Sequence, residues 1–308
     1  MSDIELLNVE SDRRGEFINA WEISFARQLD AKIYDWIFDD KNIIYAALIN
    51  NEIVAGYCLY PFESILNGKV KNALLCNNVF VHPQHQGKYL FVKLGKLALQ
   101  DAGKKGYGDL AFGIPNKLAL PGHQRVGWGI QPTIKFLSKE RLILRNFISY
   151  NWLHGSLSAE QRDDIERCSR ESAQDRSLSI IKTADFVRWR FESKPGVNYW
   201  FGLKYSGTIL LAYCVCKYYE QGKVLHFIDI DGIDDTSVNQ LIIEAESIND
   251  EFDRLNVWGS SAKKINFENL GYDLDGTEDN LIFIHPESLT KVNFSNNFNI
   301  SLSDNDVY

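Results

Sequence analysis

Asn77-Asn78-Val79-Phe80-Val81-His82-Pro83-Gln84-His85-Gln86-Gly87-Lys88-Tyr89-Leu90-Phe91 is the stretch whose reading decides the fold. Val79, Phe80 and Val81 are β-branched or aromatic residues suited to a pleated surface. Pro83 has no N–H to offer a ladder, so a strand should end near His82. A loop follows, and from Leu90 to Leu99 apolar residues recur at helical spacing, which makes residues 86–89 a helix N-terminus. Such an end presents unpaired N–H groups and the positive pole of the helix dipole, a seat for a phosphate. An ordinary strand-to-helix connection has the same local pattern, so the reading depends on what else the chain carries.

Downstream, a predicted strand at residues 109–114 is followed by Asn116, Ala119, His123, Gly127 and Trp128. Pro121 and Gly122 interrupt the helix expected there and predict that it is short or kinked. The first stretch resembles motif A of the GNAT acyltransferase superfamily, V-x-P-x-x-[QR]-G-x-G-x-[GA], through Val81, Pro83, Gln86, Gly87 and Lys88. Tyr89 and Phe91 stand where that family usually has small residues. The second resembles motif B, N-x-x-A-x-x-x-Y-x-x-x-G-[FW], with His123 in the place of the Tyr that protonates the departing CoA thiolate in many members.

The resemblance implies an acyl-CoA-dependent N-acyltransferase in which an acceptor amine attacks the thioester directly, with acetyl-CoA or 3-hydroxybutyryl-CoA as co-substrate and no metal. It implies that the backbone of Val79, Phe80 and Val81 pairs with the pantetheine arm like an added strand. Gln86, Gly87, Lys88 and Tyr89 would face the pyrophosphate, with Leu90 in the same cofactor set, and Asn116 would sit near the pantetheine or thiol end. His123 is the candidate acid, because imidazole titrates near neutral pH; a surface His on an irregular segment fits the same residues. Glu63 is the only carboxylate expected near the thioester and the candidate base, against a solvated turn residue after Pro61. Asn77 and Asn78 are the other polar groups expected there, Asn78 among the catalytic set.

A chain of 308 residues can hold two domains, each with its own core, and its 45% hydrophobic and 24% charged residues are those of a soluble globular protein. The N-terminus lacks a basic region followed by an apolar run, and no stretch approaches the roughly 18 to 20 apolar residues of a membrane helix. Cys58, Cys76, Cys168, Cys214 and Cys216 are scattered without C-x-x-C spacing, which fits free thiols in a reducing cytoplasm. A net charge of −8 argues against nucleic-acid partners, so an anionic ligand needs a local basic patch. Lys88, Lys93, Lys96, Lys104 and Lys105 supply one, or form an ordinary solvated helix face. The oligomeric state is not readable.

The predicted order of the first half is β, α, β, β, β, α, β, α, with one long helix from Phe17 to about Phe38 capped by Ser11 and Asp12. Asn50-Asn51 and Asn67-Gly68 mark tight hairpin turns. The second half repeats this plan. A helix ending in Arg188-Trp189-Arg190-Phe191 and two strands precede a strand at residues 224–231, a helix at 237–252 and a strand near Val257. The fold class is therefore α/β with mixed sheets, as two tandem GNAT-like domains, the second degenerate. The expected boundaries are residues 1–152, a connecting segment 153–176, a second domain 177–290 and a polar tail 291–308. After Asp231 only Gly232-Ile233-Asp234-Asp235 follows, and acids repel a pyrophosphate, so the first unit alone should hold CoA.

The Trp189-Arg190-Phe191 pattern followed by Pro195 resembles tandem GNAT enzymes of bacterial surface-polysaccharide biosynthesis, which acylate an amino sugar carried on a nucleotide diphosphate. That resemblance implies a dTDP-linked or similar amino-deoxysugar acceptor. Arg188 or Arg190 would pair with the diphosphate, and His226, Asp229 and Asp231 would meet the sugar. A structural ion pair is an equal reading of these arginines. The alternatives are a tandem-GNAT peptide or aminoacyl transferase, which should show a basic groove, and a non-catalytic acyl-CoA-binding module.

Overall fold

The computed structural model describes residues 5–8, 13–39, 41–141, 152–219, 221, 223–248, 252–259, 263–292, 294 and 298–305. Ser11 and Asp12 lie outside them. In chain order the elements begin β1 (Glu5–Asn8), α1 (Arg14–Phe25), α2 (Ala31–Ile37), β2 (Ile43–Ile49), β3 (Glu52–Leu66) and β4 (Lys69–Val81). There follow α3 (Leu90–Lys104), β5 (Leu110–Gly113), α4 (Leu120–Val126), β6 (Gly129–Ile130), β7 (Ile134–Glu140) and β8 (Leu153–His154). Next come α5 (Ala159–Ser172), β9 (Leu178–Ile180), α6 (Ala184–Val187), β10 (Trp200–Ser206), β11 (Ile209–Tyr219) and β12 (Val224–Gly232). The chain ends with α7 (Asp235–Ala245), β13 (Arg254–Trp258), α8 (Lys264–Asn269), β14 (Asp273–Asp279), β15 (Ile282–His285), β16 (Thr290–Lys291) and β17 (Phe298–Asn299).

Two compact units result. The first comprises residues 1–62, 71–132 and 279–293; the second comprises 63–70, 133–278 and 294–308. The expected boundaries were contiguous, whereas the observed units interleave. The physical reason is an edge: β5 would end the first sheet with an unpaired side, and β15, more than 160 residues later, pairs with it antiparallel from Ile282↔Gly113 to Ile284↔Ala111. A partner so distant leaves no mark in local periodicity.

Within the first unit the sheet runs β1-β2-β3-β4-β5-β15. Asn50 and Asn51 both take positive φ (52° and 64°), as a two-residue hairpin turn requires. The single helix expected over residues 17–38 is two helices. Ala26 turns left-handed at the end of α1 (φ 50°), and the Asp30 carboxylate caps α2 by accepting from the N–H groups of Lys32 (2.8 Å) and Ile33 (3.3 Å). Leu90, Leu94, Ala98, Leu99 and Ala102 of α3 bury one face against the sheet, while Phe17, Trp21 and Tyr34 pack with Phe80 on the other.

The second unit has its own sheet, β14-β7-β13-β12-β11-β10-β8, covered by Val238, Leu241, Ile242 and Ala245 of α7. Each unit carries one central parallel pair that stops early. β4 and β5 pair from Ala73↔Leu110 to Cys76↔Gly113, and β12 and β13 from Val224↔Arg254 to Phe227↔Val257. Beyond those points β4 continues as residues 77–81, and β12 as residues 228–232, without that neighbour. The repeat read from the sequence is thus a repeat of sheet topology.

Candidate functional site

The splay beyond Cys76 opens into a cavity of about 550 Å³ in the first unit. It is lined by Val79, Phe80 and Val81 of β4, by His85, Gln86, Gly87, Tyr89, Leu90, Phe91 and Val92 around the start of α3, and by Leu118, Gly122 and Arg125 beside α4. Seven of the nine residues expected to hold a cofactor, all but Lys88 and Asn116, are therefore brought together by one turn between a strand and a helix.

The local sequence explains the turn. Pro83 opens a short helical turn to His85, with the His82 ring accepting from the Gln84 N–H at 3.3 Å. Gly87 has φ 77° and open space where a side chain would be, a conformation that only glycine adopts cheaply. Tyr89 also has positive φ (59°) as the residue that starts α3. This explains the family's preference for a small residue there: a tyrosine in this region costs roughly 1–2 kcal/mol. The residue is 75% exposed and lines the cavity at its open side. No side chain caps α3, so its first amides have no capping partner from the chain.

Lys88 and Asn116 do not line the cavity. Lys88 is exposed, its Nζ 3.5 Å from Nδ1 of His85. The Asn116 oxygen accepts from the N–H groups of Leu118 (3.0 Å) and Ala119 (2.9 Å), so it shapes the turn into α4. That helix is short, as Pro121 and Gly122 predict, and a side chain at Gly122 would come within 2.7 Å of the Phe91 ring. Arg125 and Leu118, which is 93% exposed, are cavity residues that the sequence reading missed. The signal for Arg125 was its place between two motif B positions, His123 and Gly127.

His123 does not match its expected role. It is 4% exposed, edge-on to the rings of Phe91 (4.9 Å) and Trp128 (5.6 Å), and its Nδ1 is buried without a hydrogen-bond partner. Burial pushes its pKa down to about 4, so at neutral pH the ring carries no extra proton to give a thiolate. Glu63 groups with the second unit, where its carboxylate pairs with Arg170, itself also paired to Glu166 at 2.7 Å. It is a structural ion pair and not a free base. Asn78 lies at the inner end of the splay with φ 45°, its oxygen accepting from Nε1 of Trp21 at 3.1 Å.

The residues expected to bind an acceptor in the second unit are mostly sequestered. Arg190 is fully buried and donates through Nε to the carbonyl of Ser303 (2.7 Å) and through Nη2 to that of Asn305. Arg188 is exposed and pairs with Asp185 at 2.7 Å. Arg176 holds both oxygens of Asp231 (2.6 and 2.8 Å), and Ser172 adds a bond at 2.8 Å. Burial raises the Asp231 pKa and Arg176 more than reverses it, leaving this carboxyl lowered. Asp229 lies 3.6 Å from Nζ of Lys182, which also pairs with Asp304, and accepts from the Ser303 hydroxyl at 3.2 Å. Burial lifts Asp229 to about 6, Lys182 opposing and Asp304 adding. Buried His226 is lowered to about 4, first by burial and then by Lys217 and Arg254. Asp229 and Asp231 thus find cations of their own unit where the sequence alone suggested a ligand.

The start of α7 completes the contrast, because Asp234 caps it, accepting from the Ser237 N–H at 2.7 Å. A carboxylate of the chain occupies the position that a pyrophosphate takes at an uncapped helix end.

A strand splayed from its parallel neighbour and ending at an uncapped helix is the arrangement on which the sequence resemblance rested. Residues 6–131 match the profile of the acetyltransferase (GNAT) domain, so the first unit carries a GNAT domain. No curated protein matches the chain. Among solved structures it is similar to a GCN5-related N-acetyltransferase from Anabaena variabilis ATCC 29413, at 11% identity and TM-score 0.72, covering 92% of this chain and 73% of that one. A probable N-acyltransferase from Enterococcus faecalis V583 gives 12% identity and TM-score 0.71, covering 93% and 73%. The N-myristoyltransferase of Saccharomyces cerevisiae with bound myristoyl-CoA gives 11% identity and TM-score 0.60, covering 92% and 78%. At these identities the likeness is one of fold. Together with the domain match it supports an acyl-CoA-dependent N-acyltransferase. Among the described residues no helix is long and apolar enough to cross a membrane.

Proposed function

We propose that the first unit binds acyl-CoA and that the protein transfers an acetyl or short hydroxyacyl group from it to an amine, by direct attack on the thioester. The observation that carries this reading is the cavity that joins the unpaired end of β4 to the uncapped start of α3. The pantetheine arm adds as a strand along Val79, Phe80 and Val81, exchanging backbone hydrogen bonds, while the amides at Gly87 to Leu90 take the pyrophosphate. Arg125 and His85 on the cavity wall suit the remaining anionic oxygens of the nucleotide end.

With the thioester held, the amine attacks the carbonyl carbon, negative charge develops on the oxygen, and the thiolate leaves. Neither His123 nor Glu63 supplies the proton steps in this reading. A short path to solvent for the ammonium proton is sufficient when the acceptor amine arrives neutral.

The acceptor class placed first is the amine of a nucleotide-linked deoxyamino sugar, dTDP-linked above all. It rests on the tandem architecture, since Arg190, Asp229 and Asp231 are engaged within their own unit. The test is thiol release from acetyl-CoA and 3-hydroxybutyryl-CoA against dTDP- and UDP-linked 3-amino and 4-amino sugars and simple amines, with calorimetric acyl-CoA binding alongside. Release with one amine supports the enzyme and names its acceptor. Binding without release from any amine favours a carrier module, and no binding overturns the reading.

A further inference from the structure

We infer that Trp21 of α1 is a positioning residue that turns the Asn78 amide so that its N–H group meets the thioester carbonyl of bound acyl-CoA. The inference rests on the proposed acyl-CoA site and adds a specificity element to it.

The orientation of the amide follows from chemistry. An indole N–H donates and never accepts, so the Asn78 atom 3.1 Å from Nε1 of Trp21 is the carbonyl oxygen. Nδ2 is then directed elsewhere, and it is buried with no hydrogen-bond partner. The neighbouring Oδ1 of Asn77, a residue 9% exposed, is in the same state. A buried donor left unsatisfied costs roughly 1–3 kcal/mol, so unmatched amide atoms on two consecutive residues point to a ligand that supplies an acceptor for the Asn78 N–H.

Their place in the fold supplies the ligand's identity. Cys76 is the last β4 residue paired with β5, so Asn77 and Asn78 are the first two residues of the splay. From Asn78 to Val81 is roughly 10 Å of extended strand, after which the chain turns to the phosphate seat. A cofactor whose phosphates lie at the start of α3 and whose arm follows β4 therefore brings its acyl end to this pair. Trp21 is wholly buried, its ring tilted against Phe25 with centroids 4.6 Å apart and Arg27 stacked over it, so the indole is held rigidly. Asn78 itself has φ 45°, which asparagine tolerates better than most residues and which holds the side chain off the regular strand pattern.

The test compares the affinity of acetyl-CoA with that of S-ethyl-CoA, the thioether in which a methylene replaces the carbonyl, for the full-length protein and two variants. Trp21→Phe keeps the ring and deletes the N–H; Asn78→Asp keeps the shape and the acceptor for Trp21 but removes the donor. The wild type should prefer acetyl-CoA by about 3- to 10-fold, one hydrogen bond's worth. Both variants should bring that preference to within about 2-fold, by weakening acetyl-CoA and leaving S-ethyl-CoA unchanged. A merely structural role for Trp21 weakens both ligands alike. That outcome, or an unaltered preference in both variants, overturns the inference while the acyl-CoA site stands. A wild type that binds neither ligand overturns the site and the inference together.

Discussion

The two units share a sheet topology and differ in how their splayed strands are satisfied. In the first, β4 leaves its parallel neighbour at Cys76 and carries unmatched amide atoms at Asn77 and Asn78, followed by an uncapped helix that starts from a left-handed tyrosine. In the second, β12 leaves its neighbour at Phe227 and presents Asp229 and Asp231, which Lys182, Arg176, Ser172 and Ser303 engage, followed by a helix capped by Asp234. Oδ1 of Asn77 and Nδ2 of Asn78 lack partners in the first, whereas in the second both carboxylates are engaged and Oδ1 of Asp229 alone of their oxygens is left buried and unmatched. Unsatisfied groups and strain are costs that a fold retains where a partner relieves them.

The largest expected effect breaks the second unit's internal satisfaction. Lys182→Met leaves Asp229 and Asp304 buried around an apolar chain, and breaking a buried pair by removing one partner typically costs about 3–5 kcal/mol. Denaturant unfolding should show that loss, and a midpoint equal to wild type would mean that solvent or another cation reaches the cluster.

Asp229→Asn sharpens the same point with a sign. Burial, with Asp304 beside it and Lys182 only partly opposing, makes the folded protein hold a proton on Asp229 up to about pH 6 that the unfolded chain releases near pH 4. Stability contributed by this group is therefore present at acid pH and falls as pH rises from about 4 to 6. The amide variant should be more stable at pH 7.5, by on the order of 1–3 kcal/mol, and should lose that slope. Thermal unfolding across pH 4 to 8 checks both. His123 acts in the opposite direction: with a folded pKa of about 4, it costs stability as pH falls from about 6.5 toward 4, and His123→Phe should reduce that acid sensitivity.

Gln86→Glu introduces into the first unit the charge that Asp234 gives the second. Acyl-CoA affinity should fall about tenfold, less at high salt because the repulsion is screened. Unchanged affinity by calorimetry would place the pyrophosphate elsewhere. The smallest effect is Tyr89→Gly, which removes the left-handed strain and should raise stability by about 1 kcal/mol while acyl-CoA affinity stays within about twofold of wild type. A large loss of affinity would show that the phenol contacts the cofactor.

The strand, turn and helix from Asn77 to Leu99 were legible in the sequence because each depends on neighbours in the chain. β-branched residues, a proline, a glycine with positive φ and an apolar face at helical spacing act within a few residues of one another. The break near Ala26 was legible in principle through the Asp30 cap, but the strong apolar pattern on either side masked it. The tandem plan was readable for the same local reason, repeated.

Sequence by itself determined the class of fold, the strand, turn and helix from Asn77 to Leu99, and the lack of a matching Gln-Gly turn after Asp231. Only the tertiary structure decided that His123 lies among aromatic rings, that Glu63 belongs to Arg170, that Arg190 grips carbonyls more than 110 residues away, and that β15 closes the first sheet. These are long-range pairings between side chains whose own types permit many partners. Charge and polarity say that a partner is needed, and packing alone selects which one comes within reach.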